Sequence, residues 1–92
     1  MNNLNEILLF TTEGCEGCKI AKKLINKAIE QSDKNISFDV CPIEHPIFEN
    51  LAKLYRIDDF PTAIFNKTGK TVGKIIGTTT VNEIIKEINR CF

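Results

Sequence analysis

The sequence predicts an α/β domain with the element order βαβαββα, a four-stranded mixed sheet flanked by helices. Three observations predict it. The apolar run Ile7-Leu8-Leu9-Phe10 leads into a stretch with helical spacing and then into the alternating segment Ile36 to Val40, which together read as strand, helix and parallel strand. Two further strand patterns, Thr62 to Phe65 and Val72 to Ile76, flank a glycine turn and read as an antiparallel hairpin. The chain then closes on an amphipathic segment introduced by Thr80 and Glu83, the spacing of a capping box.

Taken in order, Ile7 to Phe10 lacks polar alternation, as expected of a central strand covered on both faces. Thr11 to Gly14 end it. From Lys19, the residues Ile20, Ala21, Leu24, Ile25, Ala28 and Ile29 recur on one helical face, with Lys22, Lys23, Asn26, Lys27 and Glu30 on the other. Ile36, Phe38 and Val40 alternate with Ser37 and Asp39 in a half-exposed strand that ends at Cys41-Pro42, which places Cys41 at the same end of the sheet as Cys15. Pro42 and Pro46 confine residues 42–46 to a loop. A second helix is predicted from Ile47 to Tyr55, burying Phe48, Leu51, Ala52 and Tyr55. Residues 57–60 form a loop, Pro61 opens the next strand, and Asn66 to Lys70 form the hairpin turn. Gly77 stops the hairpin, and the last helix carries Val81, Ile84, Ile85 and Ile88 on one face.

Ninety-two residues make a single domain, 1–92, burying somewhat over ~60% of the unfolded surface. Twelve basic residues balance twelve acidic ones, which argues against a nucleic-acid or membrane partner. Met1 to Glu6 show no basic region followed by an apolar one, and no run approaches the ~18 apolar residues of a membrane span. The expectation is a cytoplasmic monomer. In such a compartment four cysteines serve chemistry or metal better than stapling.

Two of those cysteines carry the chemical argument. Gly14-Cys15-Glu16-Gly17-Cys18-Lys19 lies where the first strand ends and the first helix begins. The unpaired N–H groups of a helix start stabilise a thiolate, so Cys15 is the more acidic thiol. Two intervening residues let the sulfurs approach bonding distance, so the pair can open and close a disulfide without unfolding. Lys19 is a minor electrostatic aid, whereas Glu13 and Glu16 oppose the thiolate and make the disulfide harder to reduce. Cys91 reads as incidental.

A strand leading into C-x-x-C at a helix start, within a βαβ unit, resembles the active site of the thioredoxin superfamily. Tyr55-Arg56-Ile57-Asp58-Asp59-Phe60-Pro61-Thr62-Ala63-Ile64-Phe65, with Gly69 and Gly77 downstream, also resembles the thioredoxin stretch that joins a proline-threonine pair to an apolar strand. The likeness spans the chain, which begins at the active-site strand as the compact glutaredoxins do, and Cys18 to Leu24 is similar to the helix after their dithiol. It implies a minimal thioredoxin fold and a thiol–disulfide oxidoreductase in which Cys15 attacks and Cys18 resolves. It also implies a cis bond before Pro61, with Gly14, Phe60, Pro61 and Thr62 contacting the substrate and the backbone of Phe60 pairing with it.

The sequence departs from both branches of the superfamily. The buried aspartate that thioredoxins place six residues before the first cysteine is Leu9 here. The glutathione-gripping positions of glutaredoxins correspond to Thr11-Thr12-Glu13, Asp59-Phe60 and Gly77-Thr78. The expected substrates are protein disulfides and no cofactor is needed. The expected electron donor is a flavin-dependent, thioredoxin-reductase-like enzyme, with glutathione-driven glutaredoxin activity as the alternative. A second alternative is a non-catalytic metal- or partner-binding module, because Cys41 and His45 together with Cys15 and Cys18 would make a four-ligand zinc set.

Overall fold

The computed structural model describes residues 4–92, so Met1, Asn2 and Asn3, which the reading of the N-terminus used, lie outside the described residues. The elements follow in the predicted order: β1 (Asn5–Thr11), α1 (Glu16–Gln31), β2 (Ser37–Pro42), α2 (Phe48–Tyr55), β3 (Thr62–Lys67), β4 (Lys70–Ile76) and α3 (Val81–Cys91). The sheet order is β2-β1-β3-β4. β1 runs parallel to β2 and antiparallel to β3, and β3 and β4 form the hairpin. This is the four-stranded mixed sheet of a minimal thioredoxin fold.

The unbroken apolar run of β1 follows from its central position. Successive side chains of a strand point to opposite faces, and here both faces are covered. Ile7 and Leu9 join Ala63 and Phe65 of β3 in a core with Ala21, Ile25 and Ala28 of α1 and Ile84 and Ile88 of α3. Phe10 faces the other way, with Cys41 and Ile64, under Phe48, Leu51 and Tyr55 of α2. Phe10 meets Phe48 and Tyr55 edge-on, each at 5.9 Å between ring centres. Full burial of a side chain such as Phe65 or Ile84 stabilises the fold by about 1.5–3 kcal/mol. Asn66, 5% exposed, is satisfied by three partners: its amide donates to Glu6 and to the Tyr55 hydroxyl, and its carbonyl accepts from Thr71.

Local chemistry explains where the elements stop. α2 ends at Arg56, whose backbone is left-handed (φ 56°) and lets the Ile57 N–H close on the Ala52 carbonyl. α3 starts as its capping box predicts, with the Thr80 hydroxyl accepting from the Glu83 N–H at 3.2 Å. Among the described residues no helix is long and apolar enough to cross a membrane.

Five expectations need correction. Ile20 is half exposed, because the buried stripe of α1 runs through Cys18, Ala21, Ile25 and Ala28 and leaves Ile20 at its margin. β2 extends through Pro42, which an edge strand tolerates because no ladder N–H is required of it there. α2 starts at Phe48, with Ile47 as its cap. The hairpin turn is Thr68-Gly69 alone: both residues take positive φ (55° and 77°), the twist that a two-residue hairpin loop needs, so the polar Asn66, Lys67 and Lys70 belong to the strands. Cys91 is a core residue rather than incidental, 6% exposed in the α1–α3 core.

Candidate active site

The strand β1 ends at Thr11, and the chain turns through Gly14 (φ 68°), a left-handed conformation that glycine takes without penalty. This turn delivers Cys15 to the cap position of α1 and Cys18 to its first turn. The two are joined as a disulfide, with Cα atoms 5.2 Å apart. Their surroundings differ. Cys15 is half-buried, and its Sγ accepts the Cys18 N–H at 3.1 Å, so one N–H of the helix start points at that sulfur. Cys18 is 5% exposed.

Pro61 stands against this turn. A Cβ placed on Gly17 would lie 3.5 Å from Pro61 Cδ, an ordinary packing distance, and 3.3 Å from Thr78 Cγ2, which would have to give by a few tenths of an ångström, so Pro61 and Thr78 both lie close to this residue of the dithiol motif. The Phe60–Pro61 bond is cis, and the Pro61 carbonyl accepts the Gly77 N–H at 2.7 Å. Gly14 thus leads directly into the dithiol, and Pro61 stands close to Gly17 within the motif. Phe60 turns its ring onto Phe48 of α2, stacked at 5.9 Å. Thr62 is 1% exposed and its hydroxyl donates to the Asp59 carbonyl at 2.8 Å, which holds the loop before Pro61 in shape.

A groove of about 300 Å³ opens over both sulfurs, bordered by Thr11, Thr12, Glu13, Lys19, Lys22 and Val40. Lys19 pairs with Glu16 at 3.4 Å, but both side chains are well exposed, so the pair contributes little. Behind Pro61 the space among Leu9, Ala21, Ala63 and Ile84 is about 10 Å³, too small for a ligand. Leu9 itself is 1% exposed, so the position under the dithiol is apolar.

Cys41 and His45 border a different groove, with Asp39, Tyr55 and Leu51. Val40 lies between the two grooves, because alternation along β2 turns Val40 to one face and Cys41 to the other. Burial pushes the Cys41 thiol above its ordinary range. The exposed His45 uses Nδ1 to accept the Ile47 N–H at 3.2 Å. Among the described residues no three His, Cys, Asp or Glu side chains are grouped to hold a metal ion. The four-ligand zinc set is therefore not assembled. The sequence reading missed the closeness of Thr78 to Gly17 and the presence of Lys22 at the groove. The second had a signal, since Lys22 follows Cys18 by four residues, one helical turn.

A family model described as a thioredoxin-like domain matches residues 2–91. Among solved structures, the chain is similar to thioredoxin-2 from a malaria parasite, described as a component of its protein secretion machinery, with a TM-score of 0.83 and 21% identity over 98% of this chain and 85% of that one. Mitochondrial thioredoxin 3 from Saccharomyces cerevisiae, in its oxidised form, gives a TM-score of 0.80 and 25% identity over 97% and 80% of the two chains. Thioredoxin from Aeropyrum pernix gives 0.76 and 19% over 98% and 77%. Comparison with curated proteins returned no match.

Proposed function

The chain belongs to the thioredoxin-like domain family, and from that premise we propose that it reduces or exchanges protein disulfides, with Cys15 as nucleophile and Cys18 as resolving thiol. At the general level, a thioredoxin-like domain holding a Cys15–Cys18 disulfide is a thiol–disulfide oxidoreductase. The observation that carries the finer reading is the asymmetry of the pair: Cys15 is the more accessible sulfur at the helix cap, while Cys18 is buried one turn in.

The mechanism follows from that asymmetry. In the reduced protein the Cys15 thiolate attacks one sulfur of a substrate disulfide and expels the other as a thiolate. Cys18 then attacks Cys15 Sγ, releases the second substrate sulfur and closes the Cys15–Cys18 bond. The two cysteines give up two electrons and the substrate disulfide takes them. Gly14 lines the groove at Cys15 and Pro61 stands close to Gly17 inside the dithiol motif, and among the described residues the backbone of Phe60 takes no hydrogen bond in the loop, which leaves it free to pair with an extended substrate segment. No cofactor takes part in these steps.

The donor that restores the dithiol is a flavin-dependent reductase rather than glutathione. The support is the lack of a recognisable glutathione grip at Thr11-Thr12-Glu13, Asp59-Phe60 and Gly77-Thr78. Glu13 and Glu16 disfavour the Cys15 thiolate, which supports a potential nearer the roughly −270 mV of thioredoxin than the about −120 mV of a strong oxidant. Two buried free thiols, Cys41 and Cys91, fit a reducing, cytoplasmic setting for a monomer.

The test is trapping. Cys18→Ser should accumulate mixed disulfides that peptide mapping places on Cys15, and the parent protein should reduce insulin faster with the reductase than with glutathione. Attachment mainly at Cys41 or Cys91 would sink the assignment of the nucleophile. Faster glutathione-driven turnover, with a potential above about −180 mV, would move the protein to the glutaredoxin branch.

A further inference from the structure

Resolution requires Cys18 to give up its proton, and the fold offers that sulfur little help. The position beneath the dithiol is the apolar Leu9, 1% exposed. The hydrogen bond from the helix start goes to Cys15, whose Sγ takes the Cys18 N–H, and the helix field weakens within the first turn. What remains is the groove over the two sulfurs. Its charged neighbours are Glu13 from the loop and Lys19 and Lys22 from α1, while Thr11, Thr12 and Val40 from the strands bring no charge. Glu13 opposes a thiolate, and Lys19 follows Cys18 directly, a spacing at which helical side chains do not face each other. Lys22 is in no ion pair among the described residues, and it stands one helical turn beyond Cys18, the spacing that sets two side chains one above the other.

We propose that Lys22 is the cation that stabilises the Cys18 thiolate during resolution, taking the charge-balancing part that no group beneath the dithiol can play. The proposal rests on the exchange reading above. In the step concerned, the Cys18 thiol passes its proton to water, and its thiolate forms a bond to Cys15 Sγ. The bond from Cys15 to the substrate sulfur breaks, and the electron pair leaves on that sulfur. The Lys22 ammonium favours the first event by opposing the cost of a negative charge on a nearly buried atom. In the reverse direction it stabilises Cys18 as the leaving thiolate.

The experiment mixes reduced protein with one equivalent of the neutral reagent 4,4′-dithiodipyridine and follows thiopyridone release. Cys15 releases the first thiopyridone in a phase that depends on concentration, and Cys18 releases the second in a phase that does not. An exposed cation near a charge is worth a few-fold, so Lys22→Gln should slow the second phase about two- to fivefold at neutral pH and move its pH midpoint upward. The first phase should be unchanged. Lys22→Arg should restore the second phase, and Lys19→Gln should leave it alone. An unchanged rate and midpoint in Lys22→Gln, or the same change in Lys19→Gln, would overturn the role of Lys22. Absence of any concentration-independent phase in the parent protein would instead remove the exchange reading, and this proposal with it.

Discussion

The fold gives four thiols unlike surroundings. Cys15 caps a helix and Cys18 lies one turn inside it, whereas burial raises the pKa of both Cys41 and Cys91 above the ordinary 9.0. At Cys91 burial is the larger cause, Glu87 adds to it, and Arg90 opposes it. A raised folded value means that the stability tied to each neutral thiol is in place below about pH 9 and is lost as the pH rises through the folded value. Cys91 also explains a glycine. A Cβ on Gly73 would fall 2.6 Å from Cys91 Sγ and 2.7 Å from Glu87 Oε2, closer than packed atoms approach. Gly73→Ala should therefore cost about 1–3 kcal/mol in denaturant unfolding. Adding Cys91→Ala should recover part of that loss relative to Cys91→Ala alone, and strict additivity of the two changes would refute the contact. The dithiol was legible because both sulfurs and the helix start share six consecutive residues. Cys91 was not, because the glycine it packs on lies eighteen residues earlier in the chain, on a different element.

Elements announce themselves where their signals are local. The capping box of Thr80 and Glu83 and the helical spacing that follows it predicted α3, and Ile84 and Ile88 are fully buried as that spacing requires. The hairpin turn was read as longer than it is, because Asn66 and Lys67 look like turn residues by type. Asn66 is held inside by Glu6, Tyr55 and Thr71, partners on three other elements that local composition cannot show. Near its end α3 is tied to β4: the Arg90 guanidinium donates to the Glu87 carboxylate and to the Val72 carbonyl, the latter at 3.1 Å. The hydrogen bond from Arg90 holds the Glu87 carboxyl below its ordinary 4.5, against the opposing effect of burial. A depressed folded value contributes stability that is in place above about pH 4.5 and is lost as the pH falls through the folded value. Glu87→Gln should accordingly be less stable than the parent at neutral pH, with the gap closing in acid below pH 4.5. Thermal melts across pH 3 to 7 check this, and a gap that stays constant through the acid range would show that the carboxylate charge contributes nothing.

At the scale of the whole molecule, one central strand explains both the fold and the site. β1 buries its two faces under helices on opposite sides, pairs with both β2 and β3, and ends shortly before α1 begins, so the dithiol sits at the edge of the core. The bond itself closes a loop with a sequence separation of only three. In the chain-entropy account such a short loop stabilises the native state by no more than about 2 kcal/mol, a small part of what ~90 residues of packed domain supply. Reduction should leave the protein folded, with a denaturant midpoint shifted modestly and a slope unchanged, since the same surface is exposed on unfolding in both forms. This is also what the proposed redox cycling demands, because a dithiol that unfolded the domain on opening could not present Cys15 at the start of α1 for the next substrate. The difference in stability between the two forms is linked to the potential: about 1.4 kcal/mol in favour of the oxidised fold lowers it by ~30 mV relative to an unstructured dithiol. Unfolding curves with and without reductant measure the first quantity, and equilibration of the dithiol before and after denaturation measures the second. Loss of the cooperative transition on reduction would mean that the bond is structural, and the exchange cycle proposed for Cys15 and Cys18 could not operate on this fold.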